Sequence, residues 1–165
     1  MADDQPNYQP NYQAITKMPG FNVGICCNDD EITLIDYLPP GDEQAPQKPL
    51  AKEAVRQLRA YLNDPTFTFA LPLAAAGTPF QRKVWREIVT IPPGHTTSYG
   101  ELAKAVKSAP RAVGGACGAN PYPLVVPCHR IIAADGGLGG FARQRDGLLL
   151  DIKSWLLEHE QSVAY

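Results

Sequence analysis

No stretch of this chain has the roughly 20 consecutive apolar residues that a membrane-spanning helix needs. Cysteine is scarce: Cys26, Cys27, Cys117 and Cys128, with no CxxC pair among them. That spacing excludes the common zinc-finger and redox patterns and supplies no disulfide framework. Cys26 and Cys27 are neighbours in a strand-like run, where successive side chains point to opposite faces, so they are poor joint ligands for one ion. His95 and His159 add no ligand spacing, and no metal site is expected. Free thiols in a reducing compartment are the expected state. The polar, acidic start Ala2-Asp3-Asp4-Gln5 reads neither as a secretory signal nor as a transit peptide, so a cytoplasmic location is expected. A strong charge of either sign is also lacking, the net charge being -2. That balance hides a split. Residues 1–76 carry a net -5 and residues 77–153 a net +5, so only the second half suits a polyanion. Chance asymmetry of solvated surface is the competing explanation.

What is present is an ordinary globular composition, 44% hydrophobic and 19% charged over 165 residues, enough for one good core or two small ones. Residues 1–14 hold the tandem Gln5-Pro6-Asn7-Tyr8 and Gln9-Pro10-Asn11-Tyr12. Polar and proline-bearing, they read as a flexible tail. Phe21, Val23 and Ile25 alternate, as do Ile32 and Leu34 beyond Asn28-Asp29-Asp30, which predicts a hairpin. Leu50 to Leu62 has helical spacing, with Ala51, Val55, Leu58 and Leu62 on one side. Phe67, Phe69 and Leu71 alternate as a further strand. Asp36 and Glu53 read as solvated carboxylates, and this half shows no recognisable catalytic residue. Thr78-Pro79 then opens a helix, hydroxyl cap before proline, with Phe80, Val84, Trp85 and Ile88 apolar. Thr97 or Ser98 caps the next, Tyr99 to Val106, with Glu101 three residues after Ser98 completing a capping box. A third follows Pro110, over Arg111 to Gly118. Two short helices joined by a tight turn predict a helix-turn-helix. The second is nearly all small, Ala112-Val113-Gly114-Gly115-Ala116-Cys117-Gly118, and glycine in a helix costs about 1 kcal/mol relative to alanine. Close approach to another helix or to a DNA groove would each account for it. The glycine-rich run Asp135 to Phe141 lacks the GKS/T of a phosphate loop. A last helix carries Ile152, Trp155, Leu156 and Leu157.

The chemistry centres on Pro127-Cys128-His129-Arg130. The apolar Leu124-Val125-Val126 before it reads as a buried strand ended by Pro127, which has no N–H to donate. From these residues alone, Cys128 is a nucleophile, a metal ligand or a small buried hydrophobe. Adjacent residues on an extended chain point apart, so His129 would act on the thiol through a water or after a turn. It would also need a carboxylate to fix its tautomer, for which Asp135, Glu158 and Glu160 are the candidates.

The wider pattern is more specific. Asn120-Pro121-Tyr122-Pro123-Leu124-Val125-Val126-Pro127-Cys128-His129-Arg130 resembles the active-site signature of the O6-alkylguanine-DNA alkyltransferases, also called methylated-DNA–protein-cysteine methyltransferases. The resemblance extends in order through Thr78-Pro79-Phe80-Gln81, Ser98-Tyr99-Gly100-Glu101-Leu102-Ala103, Arg111-Ala112-Val113-Gly114-Gly115-Ala116 and Trp155-Leu156-Leu157-Glu158-His159-Glu160. It implies an α+β fold: a small N-terminal domain (15–76) with a ribonuclease-H-like antiparallel sheet and helix, and a mainly helical C-terminal domain (77–165) with a winged-helix-like helix-turn-helix. It implies that Cys128 accepts the alkyl group in a single-turnover DNA repair reaction, needing no cofactor. In that reading His129 takes the thiol proton through a bridging water, and Glu160 orients it. Tyr99 hydrogen-bonds the departing guanine, and Asn120 braces the turn before the active site. Arg111 fills the gap left by a flipped nucleotide. Ala112, Gly114, Gly115 and Ala116 lie with it on a helix seated in the minor groove of double-stranded DNA. Phe141, Ala142 and Arg143 form the pocket loop, which departs from the family in having Phe141 where tyrosine is common and Arg143-Gln144 where many members have glycines. A monomer with no membrane partner is expected. The alternative is a lesion-binding relative that transfers nothing, but such proteins lack the acceptor cysteine that is present here.

Overall fold

The computed structural model describes residues 10–137 and 147–161. It is an α+β structure. Three strands, β1 (Ala14–Met18), β2 (Phe21–Cys27) and β3 (Ile32–Leu38), form an antiparallel meander in the order β1-β2-β3. The β2–β3 hairpin falls where alternation predicts it. Asn28 Oδ1 accepts from the backbone N–H of Asp30 and Glu31 and closes the turn. Strand β1 is unexpected. The tail expected over residues 1–14 does not extend so far, because Gln13 and Ala14 are buried and Tyr12 Oη donates to Asp36 at 2.7 Å. The apolar positions Ala14 and Met18 are separated by Lys17, which hid the strand.

Helix α1 (Pro49–Asn63) lies against this sheet. Its buried face is Ala51, Ala54, Leu58 and Tyr61, turned from the one expected: Val55 and Leu62 are only partly buried. Two alanines let the helix approach the sheet, and the Tyr61 ring fills the space beyond. The strand expected over Phe67–Leu71 does not form. Gln57 takes the place of a partner strand, accepting from Ala70 N at 2.8 Å and donating to Ala70 O at 2.9 Å. The chain instead bridges once to β3, through Ile32 and Leu73.

The second half begins with α2 (Pro79–Ile88), where Thr78 and Gln81 form a reciprocal capping box. Strand β4 (Thr97–Ser98) leads into α3 (Tyr99–Ala105), capped by Ser98 Oγ accepting from Glu101 N. Lys107 sits at φ +56 and Ser108 N donates to Ala103 O, a left-handed helix end that glycine usually takes. This makes the tight turn into α4 (Pro110–Gly118). Strand β5 (Ile131–Ile132) pairs parallel with β4, and α5 (Leu148–Gln161) closes the structure. One hydrophobic cluster runs through both halves, from Phe21 and Ile25 to Val84, Ile131 and Leu156. No described helix is long and apolar enough to cross a membrane.

Candidate active site

Residues Leu124–Val126 form a turn, not the expected strand. The reason lies in local bonding: Val126 N donates back to Tyr122 O, and Leu124 is held at φ +75, a region that L-residues seldom occupy. Leu124 stays there because its side chain is buried and the turn is tied on both sides. Asn120 Oδ1 accepts from Tyr122 N, its Nδ2 donates to Val126 O at 2.9 Å, and Tyr122 Oη donates to Ala74 O. Cys128–Arg130 then form a single 3₁₀ turn. Cys128 and His129 are thus not on an extended chain, which removes the geometric objection to their acting together. Asn120 Nδ2 also lies 3.1 Å from Cys128 Sγ.

Glu160, on α5, is the carboxylate behind His129; Glu158 and Asp135 are exposed. Glu160 is 1% exposed and accepts from four donor atoms: His129 Nε2 at 2.7 Å, Arg130 Nε at 2.8 Å, Arg130 Nη2 at 2.9 Å and Tyr61 Oη at 2.7 Å. Burial alone would raise its carboxyl, but the bonds from His129 and Arg130 outweigh this and hold it well below the usual carboxylate range. Ionised Glu160 fixes the proton of His129 on Nε2 and leaves Nδ1 as the basic nitrogen. Nδ1 is buried and has no hydrogen-bond partner among the described residues. Burial pushes His129 down despite the carboxylate, so the imidazole is neutral at neutral pH and free to accept a proton.

Lys153 is buried two turns before Glu160 on the same face of α5. Its Nζ donates to Ile131 O at 2.7 Å and stands 5.9 Å from the centre of the Tyr99 ring. Burial pulls it down to about 8, while the charges of Cys117 and Cys128 act the other way. Cys117 is in the last turn of α4 and lines one cleft with Cys128. The neighbouring Cys117, then burial, pushes Cys128 up; Cys128 in turn pushes Cys117 down. Tyr99 follows β4, whose pairing with β5 brings it beside the site, and burial pushes its hydroxyl up to about 12. It is a hydrogen-bond donor throughout the neutral range.

On α4, Arg111 and Ala112 are exposed in the first turn. A Cβ built on Gly114 or Gly115 meets nothing within 4 Å among the described residues, so neither glycine packs against another described element. Ala116, expected on the DNA-facing side, is instead buried, and its carbonyl accepts from Trp85 Nε1 at 2.9 Å. This bond pins α4 to α2. The pocket-loop residues Phe141, Ala142 and Arg143 lie outside the described residues. Sequence reasoning missed Tyr61, Lys153 and the partnership of Arg130 with Glu160. A lysine and a glutamate on the apolar stripe of Ile152 and Leu156 were a usable signal; Tyr61 carried none.

The DNA-binding domain of 6-O-methylguanine DNA methyltransferase matches residues 79–162. The chain is 44% identical over 117 residues to the methylated-DNA–protein-cysteine methyltransferase of Methanosarcina mazei, covering 70% of this chain and 71% of that one. It is 41% identical over 126 residues to the bifunctional transcriptional activator/DNA repair enzyme Ada of Escherichia coli, but the match takes in 72% of this chain and only 36% of Ada. Among solved structures, that of Mycobacterium tuberculosis OGT in complex with DNA superposes with a TM-score of 0.77 at 36% identity, covering 92% of each chain.

Proposed function

Because the chain belongs to the 6-O-methylguanine DNA methyltransferase family, we propose that it repairs DNA by moving an alkyl group from O6 of guanine onto Cys128, once per molecule. The observation that carries this reading is the buried Glu160–His129 bond at 2.7 Å on the residue next to the thiol. It leaves His129 Nδ1 basic. A thiol pushed up by the neighbouring Cys117 and by burial is protonated at rest, so attack needs a base, and His129 supplies it through a bridging water. Proton transfer leaves an imidazolium that ionised Glu160 stabilises. Asn120 Nδ2 donates to the sulfur as it becomes anionic. The sulfur attacks the alkyl carbon, the carbon–O6 bond breaks, and Tyr99 donates to the guanine as charge gathers on it. The product is a thioether with no good leaving group, so each molecule acts once.

The partner is duplex DNA with the damaged base rotated out of the stack. Arg111 fills the vacated space, and the open face of α4 at Ala112, Gly114 and Gly115 lies in the minor groove. Residues 77–165 supply this machinery, and residues 15–76 brace it through Tyr61. The protein works as a monomer in the cytoplasm, where its thiols stay reduced. Replacing Cys128 with alanine tests the reading: the variant retains binding to methylated duplex and accepts no label. Transfer of label to this variant would overturn it.

A further inference from the structure

Cys117 and Cys128 come from different elements, the last turn of α4 and the 3₁₀ turn. Both line one cleft of about 260 Å³ with Asn120, Tyr37 and Asp36. Cys128 is buried at 4% exposure and Cys117 is only partly buried, so Cys117 is the sulfur that a small solute meets first. The alkyl-transfer reading gives Cys117 no task. We propose that Cys117 and Cys128 are a dithiol oxidation site, at which a hydroperoxide forms an intramolecular disulfide and withdraws the acceptor sulfur until a thiol reductant restores it.

The chemistry balances in two steps. The Cys117 thiolate attacks the peroxide, the O–O bond breaks, and Cys117 sulfenic acid and hydroxide form. The Cys128 sulfur then attacks the sulfenic sulfur, and the hydroxyl leaves as water with the thiol proton. The neighbouring Cys128 and the charge of Lys153 both favour the Cys117 thiolate needed first. Closing the bond brings the two sulfurs to about 2 Å. Cys117 stands at the end of α4, followed by Gly118, where the helix constrains it least. Cys26 and Cys27 lie in β2 and do not join this pair.

The test uses the full chain and reads the disulfide by mass, independently of alkyl transfer. Arg111 and Arg130 bracket both sulfurs with no lysine or arginine between them, so trypsin releases Cys117 and Cys128 in one peptide, Ala112–Arg130. After hydrogen peroxide, blocking with N-ethylmaleimide and digestion without reductant, that peptide is expected lighter by two hydrogens and unblocked. Dithiothreitol before blocking reverses this. Cys117→Ser is expected to abolish the two-hydrogen loss; if that variant fails to fold, the wild-type peptide decides alone. A peptide that stays doubly blocked, gains oxygen on Cys128 or links to Cys26 or Cys27 overturns the disulfide. Transfer of a methyl group is measured in parallel and should fall to the fraction of peptide left unoxidised. A persisting rate overturns withdrawal of the acceptor. Untreated protein that transfers nothing contradicts the repair reading while leaving the disulfide result standing.

Discussion

Glu160 accepts from Tyr61 in the first half of the chain and from the adjacent His129 and Arg130 in the second. Burying a carboxylate is tolerable only when its oxygens are so satisfied. Tyr61 holds the network from α1, and Tyr61→Phe removes one bond to a charged group. The expected loss is about 1.5–3 kcal/mol of unfolding free energy, read by denaturant titration, with slower alkyl transfer at unchanged DNA affinity. Stability equal to wild type would contradict the placement of Tyr61. The same network sets a pH dependence. His129 is pushed below its ordinary value of 6.5 and Glu160 below 4.5. Both groups therefore bind more protons unfolded than folded. Stability is full above about pH 6.5 and falls on acidification, first through His129 and then, below pH 4.5, through Glu160. A denaturation midpoint that stays flat between pH 7 and pH 4 contradicts this. Cys128, His129 and Glu160 were nameable in the sequence because ordered blocks surround them. Tyr61 was not, since a tyrosine on an apolar helix face reads as core and its partner is 99 residues away.

The open face of α4 explains a helix that breaks the propensity rules. Among the described residues, Gly114 and Gly115 meet nothing a Cβ would touch, which argues against helix–helix packing as their reason and for an external partner. Gly114→Ala and Gly115→Ala are each expected to stabilise the free protein by about 1 kcal/mol. Both should weaken duplex binding, measured by fluorescence anisotropy; undiminished affinity would remove α4 from the interface. The helices were largely legible, because capping is local: Thr78 with Gln81, and Ser98 with Glu101, lie within one turn. The strands were less so. Alternation at Phe67–Leu71 had no partner strand to meet, because Gln57 satisfied the backbone instead. The apolar run Leu124–Val126 became a turn because Tyr122 O and Asn120 captured its bonds. A run of apolar residues reports burial, and only pairing makes it a strand.

Over the whole molecule, the charge split gives residues 77–153 a net +5 and residues 1–76 a net -5. Phosphate contacts from the basic half release counterions, so log affinity for duplex should fall linearly with log salt. Arg111→Ala is expected to lose repair of duplex while keeping most reaction with the free alkylated base. Equal loss of both would place Arg111 in the reaction itself. The first half meets the second at Tyr61 and Glu160, and strand β3 lines the Cys128 cleft through Asp36 and Tyr37. The central claim is that Cys128 is consumed by a single alkyl group. Its most direct test is the intact mass of the protein after incubation with excess methylated duplex, followed by mapping of peptide Ala112–Arg130. One added methyl per molecule, on Cys128, is the expected result; no added mass, a methyl elsewhere, or demethylated DNA in excess of the protein would contradict it.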